Sequence, residues 1–339
     1  MDLAELTTLR LGGPARQVVE ATTEADLIDA VRVVDEAGDP LLLVAGGSNL
    51  VVADAGFDGT VVRVLTRGVA VDADACSGAM VTVQAGEPWD PFVERAVREG
   101  WVGVEALSGI PGSVGATPIQ NVGAYGQEVA QTIASVRVYD RFDRAVRTIA
   151  AADCGFTYRS SRFKAEPHRF VVLTVSFQLP LGDLGAPIAY AELARTLGVE
   201  VGERVPAADV REAVLSLRRG KGMVLDPDDH DTWSAGSFFT NPVLSAVDAE
   251  ALPEGAPRFA QPDGTVKTSA AWLIERAGFT RGHGTDRVAL SSKHTLAVTN
   301  RGGATTDALL ALAREVRDGV RDAFGVTLVP EPVLVGVSL

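Results

Sequence analysis

Two clusters of cationic side chains stand out in an otherwise acidic chain, Arg159-Ser-Ser-Arg162-Phe-Lys164 and Arg218-Arg219-Gly-Lys221. With 31 basic against 44 acidic residues the net charge is −13, so an anionic ligand can be met only where positive groups gather locally. In Tyr158-Arg159-Ser-Ser-Arg162-Phe163 a guanidinium sits among aromatic residues, and its planar fork suits bidentate recognition of a carboxylate or phosphate. Gly236-Ser237-Phe-Phe-Thr-Asn241-Pro242 sets the Ser237 hydroxyl between a glycine and two bulky apolar side chains, and Glu331 stands between Pro330 and Pro332 just before a last apolar run. Two glycine-rich stretches add bare backbone. At Ala45-Gly-Gly-Ser-Asn49, Gly46 and Gly47 let N–H groups approach a pyrophosphate, and Ser48 and Asn49 add side-chain donors. In the long stretch 108–126, Gly109, Gly112, Gly115 and Gly123 expose backbone over a broad surface, as a flat cofactor requires. Taken singly, each feature has an ordinary reading as well: a surface ion pair, a strand, a loop carboxylate, a tight turn.

Several other chemistries are excluded. No G-x-G-x-x-G follows a strand, and Leu215 stands where a P-loop ending in Gly220-Lys221 needs its first glycine. His168, His230, His283 and His294 are scattered, and Cys76 and Cys154 are too few for a zinc site or a disulfide framework, so no metal is expected. The negative charge argues against nucleic acid as partner. No apolar run reaches the ~18–20 residues of a membrane span, and Met1 to Leu11 lacks a signal-peptide core, so a cytoplasmic protein is expected.

These residues need a scaffold, and 339 residues allow two or three domains. Thr23 caps a predicted helix with an apolar face at Leu27, Ile28, Val31 and Val34, which Gly38 stops. Short buried strands follow at 41–44 and 60–65, then strands at 79–85, 132–140 and 169–179 around a helix at 91–99 whose first position is Pro91. Tyr190 is expected on a helix. Further helices are predicted at 207–219, 269–277 and 305–323, the last with Leu309, Leu312, Val316 and Val320 on one face.

Seven segments in this order resemble the UDP-N-acetylenolpyruvoylglucosamine reductase family, flavoenzymes of peptidoglycan precursor synthesis. They are Thr8-Leu-Arg-Leu-Gly-Gly13, Ala45–Asn49, Gly109-Ile-Pro-Gly-Ser-Val-Gly115, Pro118–Gly126, Tyr158–Phe163, Gly236–Pro242 and Leu328-x-Pro-Glu331. The resemblance implies an α+β protein with a vanillyl-alcohol-oxidase/PCMH-type FAD-binding fold. Two α/β subdomains are expected at 1–66 and 67–186, a connecting segment at 187–206, an α/β substrate-binding domain at 207–328 and a closing strand at 329–339. It implies NADPH-dependent, FAD-mediated reduction of the enolpyruvyl group of UDP-N-acetylglucosamine-enolpyruvate to UDP-N-acetylmuramate; a monomer is expected, though no residue pattern in the chain fixes the oligomeric state.

Carried over by position, the catalytic set is Arg159, Ser237 and Glu331. FAD would be held by Gly46, Gly47, Ser48, Asn49, Gly109, Ile110, Pro111, Gly112, Ser113, Gly115, Ala116, Thr117 and Gly123. The UDP-sugar would be held by Tyr190, Arg218, Lys221 and Asn241. Non-covalent FAD is expected, because no histidine precedes residue 168 and Cys76 lies outside both flavin segments. Two departures concern the anion: Thr240 stands where many members carry Lys, and Asp226-Pro-Asp-Asp-His-Asp231 is unusually acidic. A sugar or lactone oxidase of the same fold would need no Arg–Ser–Glu set, and a catalytically dead flavin-binding protein would have no reason to keep it.

Overall fold

The computed structural model describes residues 1–74 and 76–339 and divides into two compact units, each discontinuous in sequence. One contains Ala15–Gly46 and Asp58–Gly220, the other Met1–Pro14, Gly47–Phe57 and Lys221–Leu339.

At the centre of the first unit is a five-stranded antiparallel sheet in the order Ala145–Ala150, Ile133–Asp140, Phe170–Leu179, Gly78–Gln84, Val69–Asp74. Phe170–Leu179 is the middle strand and is buried along most of its length, which its nearly continuous apolar sequence permits. The helix Trp89–Arg98 packs on this sheet through Trp89, Phe92 and Phe177, whose rings lie 5.3–6.0 Å apart. It begins at Trp89, so Pro91 is its third residue and not its first. The proline is tolerated there because N–H groups of the first turn have no intrahelical acceptor. A second, three-stranded sheet runs in the order Ala15–Ala21, Phe57–Val64, Leu41–Val44, the last two parallel. Its helix, Glu24–Ala37, opens on a capping box made by Thr23 and Asp26 and closes on Gly38 in the left-handed conformation. The helices Ala191–Leu197 and Ala207–Gly220 share a small core of Ile188, Leu193, Val210 and Val214.

In the other unit the helix Thr306–Phe324 buries Leu309, Leu312, Val316 and Val320 against Phe238, Leu273 and Ile274. The segments Met1–Pro14 and Gly47–Phe57 belong here for three reasons. Leu9, Leu11 and Val51 enter this core, and the strand Leu50–Val52 pairs in parallel with Val333–Val335. The Asp54 carboxylate accepts the first N–H groups of the long helix, from Thr306 at 2.8 Å and Asp307 at 3.0 Å. The contiguous boundaries expected at residues 66 and 206 therefore differ from the observed units, since 1–14 and 47–57 lie with the C-terminal part and Ala207–Gly220 does not. Among the described residues no helix is long and apolar enough to cross a membrane.

Candidate active site

The long glycine-rich loop of the first unit is laced to the start of helix Trp89–Arg98. Gly109 donates its N–H to the Asp90 carboxylate at 2.6 Å, and Gly112 accepts the Trp89 N–H at 3.0 Å. Val114 and Gly115 donate to Glu87 and Ala85, each at 2.8 Å, while the Trp89 indole donates to Leu107 at 3.0 Å. Ile110 packs on the core, and Ser113, Gly115 and Thr117 are buried, with the Thr117 hydroxyl donating to Val114 at 2.8 Å. Ala116 closes a turn onto Ser113 at 3.1 Å, and Pro111 lies half-buried between the two anchored glycines.

Gly46 meets this loop backbone to backbone. A Cβ at Gly46 would fall 2.5 Å from the Gly112 Cα, so position 46 has no room for a side chain. Such a cradle of bare backbone fits the pyrophosphate and flat ring system of a flavin dinucleotide. In the other unit Gly47, at φ +58°, is held so close to Leu6 that a Cβ would overlap its carbonyl oxygen at 1.7 Å. Ser48 follows, and Asn49 then accepts the Val333 N–H at 2.9 Å and donates its amide to the Glu331 carbonyl at 3.5 Å.

Asp90 has a second partner. Arg211 grips it with two N–H groups at 2.6 and 3.1 Å. Burial alone would raise the Asp90 carboxyl, but Arg211 and the Gly109 N–H outweigh it and hold the group below the usual carboxylate range. Arg218 lies close enough to Asp90 and Tyr125 to feel both. Burial brings its guanidinium down to about 10, against the pull of Tyr125 and Asp90. Burial also pushes the Tyr125 phenol up to about 12. The Tyr125 ring meets the Tyr190 ring edge-on at 5.7 Å. Tyr190 is not within a helix as expected; it is the extended residue before Ala191–Leu197, and its ring is half exposed.

Arg159 adopts a left-handed backbone at φ +53° and donates to the Gly123 carbonyl at 2.8 Å, with the Tyr158 ring 5.4 Å from its guanidinium. The Lys164 ammonium in turn donates to the Arg159 carbonyl at 3.1 Å. Asn121, buried and also left-handed, ties the glycine-rich loop to this segment. It donates to Glu128 at 2.8 Å and to the Thr157 carbonyl at 3.1 Å, and accepts from Ala130 at 3.1 Å.

Ser237 and Glu331, 94 positions apart, are neighbours within the other unit. The segment 236–242 is not a regular strand; it is held by single bonds from Phe238 N–H to Leu296 at 2.7 Å and from Thr240 N–H to Val329 at 3.1 Å. The Glu331 N–H donates to the Phe238 carbonyl at 2.9 Å, which fixes the carboxylate-bearing residue beside the serine segment. Asn241 accepts the Ala270 N–H through its amide oxygen at 3.0 Å, leaving the NH2 as the group that can donate to an anion. Lys221 opens the C-terminal stretch of this unit. The acidic run is partly neutralised: Asp229 pairs with Lys293 at 2.5 Å and Asp231 with Arg301 at 2.6 Å. The Thr240 hydroxyl donates to the Val329 carbonyl at 3.4 Å.

Asp90, Asn121 and Arg211 are site-shaping residues that pattern alone did not single out. Asp90 had a local signal, an acid in the first turn of a helix, but its bonds to Gly109 and Arg211 span 19 and 121 positions. Among the described residues no group of three or more His, Cys, Asp or Glu could hold a metal ion.

Residues 226–335 match the family model of the UDP-N-acetylenolpyruvoylglucosamine reductase C-terminal domain, and residues 15–148 match that of an FAD binding domain. A UDP-N-acetylenolpyruvoylglucosamine reductase of Cutibacterium acnes is 59% identical over 340 residues, covering 99% of this chain and 90% of its own. The enzyme of that name from Thermobifida fusca is 59% identical over 347 residues, covering 99% and 97%. The crystal structure of the Thermus caldophilus reductase superposes with a TM-score of 0.65 at 24% identity, covering 99% and 97% of the two chains, a likeness of fold.

Proposed function

Because the chain belongs to the UDP-N-acetylenolpyruvoylglucosamine reductase family, we propose that Arg159, Ser237 and Glu331 carry its chemistry. The protein is an FAD-dependent oxidoreductase of α+β fold. With NADPH as reductant it converts the enolpyruvyl group of UDP-N-acetylglucosamine-enolpyruvate to the lactyl group of UDP-N-acetylmuramate, in peptidoglycan precursor synthesis. Gly46 to Asn49 and the loop from Gly109 to Gly123 would hold the flavin, which supplies, when bound, hydride taken from NADPH. A cytoplasmic, monomeric enzyme goes with this reading.

The observation that carries the residue assignment is the bond from the Glu331 N–H to the Phe238 carbonyl at 2.9 Å. It brings one hydroxyl and one carboxyl, remote in sequence, to the same short stretch of backbone. Hydride addition at the terminal methylene carbon of the enolpyruvyl group leaves the enolate of a carboxylate, carrying close to two negative charges. The Arg159 guanidinium, fixed by its bond to Gly123, holds that charge. The conjugate acid of such an enolate is so weak that the Ser237 hydroxyl can protonate the carbon bearing the carboxylate. Glu331 carries its own proton during this step, since a second carboxylate would repel the enolate. Lys221 and Asn241 bind the substrate diphosphate, Arg218 adds positive charge on the anion side, and Tyr190 covers the bound sugar nucleotide.

Stopped-flow absorbance of the two half-reactions tests the serine. Ser237→Ala is expected to leave flavin reduction by NADPH at the wild-type rate and to slow reoxidation by the UDP-enolpyruvyl sugar ~10²–10⁴-fold. Ser237→Cys should recover part of that loss. Equal slowing of both half-reactions refutes the proton-donor role.

A further inference from the structure

Glu105 is a fully buried carboxylate that the reaction chemistry leaves without a task. It begins the turn Glu105–Leu107, and its oxygens gather three donors from three separate stretches of the first unit. One oxygen accepts the Gly103 N–H at 2.6 Å. The other accepts the Ala186 N–H at 2.6 Å and the Gln127 side-chain amide at 2.9 Å. Gln127 closes a second link by accepting the Ala106 N–H at 2.8 Å. These are all N–H donors, an arrangement only an acceptor-only group can satisfy. A glutamine at 105 would have to turn its NH2 toward one of them.

Two of the gripped stretches carry the aromatic pair. Tyr125 precedes Gln127 by two residues, and Tyr190 follows Ala186 by four. Gly126 lets the two backbones approach, since a Cβ there would lie 2.7 Å from the Ala189 Cβ, and the Tyr125 and Tyr190 rings then meet at 5.7 Å. On its other side the stretch 185–188 bonds to residues 202–205, through Gly185 N–H to Val205 at 2.8 Å and Ile188 N–H to Glu203 at 2.9 Å. Glu105 ties that whole ribbon to the stretch carrying Tyr125. At Gly185 a Cβ would come within 3.0 Å of the carboxylate, so the ribbon is drawn tight against it.

We infer that Glu105 is a positioning residue for substrate binding: through Ala186 and Gln127 it sets where the Tyr190 ring stands. The inference rests on the reading of Tyr190 as a residue that covers the UDP-sugar. It assigns a function to a buried acid that acts through the Ala186 N–H and the Gln127 amide.

The test is a double-mutant cycle on the holoenzyme, read by calorimetric titration with the UDP-enolpyruvyl sugar, together with amide hydrogen exchange at Ala186. Glu105→Gln is expected to weaken substrate binding about tenfold, the cost of losing one hydrogen bond to a charged group. It should also accelerate exchange at Ala186, with flavin content and the rate of reduction by NADPH at wild-type values. In a Tyr190→Ala background Glu105→Gln should cost no further affinity. If Tyr190→Ala weakens binding but Glu105→Gln does not, or if the two effects add in full, the positioning role is refuted. If Tyr190→Ala itself binds substrate like the wild type, the reading of Tyr190 falls first and takes this role with it. Should Glu105→Gln fail to fold, Gln127→Met cuts one arm of the clamp and is measured the same way; wild-type affinity and exchange in that variant overturn the inference.

Discussion

Gly46→Ala isolates the close approach of two backbones from every other property of the flavin cradle. The added methyl would sit 2.5 Å from the Gly112 Cα and 2.9 Å from its carbonyl carbon. Ordinary contact begins near 3.4 Å, so the loop must retreat by about 1 Å; both atoms are backbone and cannot rotate away. Overpacking of this kind costs about 1–3 kcal/mol. Retreat of Gly112 also strains the Trp89 N–H bond to its carbonyl, 3.0 Å long, at about 1 kcal/mol more. The sum, about 2–4 kcal/mol, falls on FAD affinity if the native loop is the binding-competent one, a weakening of roughly 30- to 700-fold. The assay is flavin per polypeptide after gel filtration, with a titration of the stripped protein, beside the thermal midpoint. Gly38→Ala serves as control. It is left-handed at φ +67° with nothing within 4 Å, so an alanine there costs about 1–2 kcal/mol of backbone strain and should lower the midpoint while keeping flavin. Wild-type flavin affinity in Gly46→Ala would refute the argument.

Acid denaturation should release the flavin from the polypeptide, and pigment remaining on the precipitated chain would show a covalent link instead. Lys221→Ala should raise the KM for the UDP-sugar by the equivalent of ~1.5–3 kcal/mol with flavin content unchanged; loss of flavin at constant KM would put Lys221 in a different site. Burial works to raise the Asp231 carboxyl, but the Ser292 hydroxyl and N–H and the Arg301 guanidinium overcome it and hold the group below its ordinary value. A folded pKa below the unfolded one gives stability that is present in full above the unfolded value of about 3.9 and is lost as pH falls through the folded one. The gap in thermal midpoint between wild type and Asp231→Asn should therefore be wide at pH 7 and close in acid, and a gap independent of pH would contradict this account.

Much of the scaffold was legible in the chain because its signals are local. Thr23 with Asp26 and Gly38 mark both ends of Glu24–Ala37 within one helical turn of each end, and the spacing of Leu309, Leu312, Val316 and Val320 is the face of Thr306–Phe324 itself. The middle strand Phe170–Leu179 announced itself by a nearly continuous apolar run, which the structure buries along most of its length. The edge strands Val69–Asp74 and Ala145–Ala150 did not. With one neighbour each and mostly exposed side chains, they need no apolar alternation. The seven motifs likewise carried family, cofactor and candidate residues, because glycine backbones, a guanidinium and a hydroxyl are chemical properties of single positions. Tertiary structure alone decided which of these positions meet. Gly46 against Gly112, Glu331 beside Phe238 and Leu50–Val52 beside Val333–Val335 are all backbone encounters across tens to hundreds of residues. Backbone atoms are the same at every position, so no residue type or period in the sequence encodes such a pairing. It is selected only when the packed cores on either side bring the chains into register.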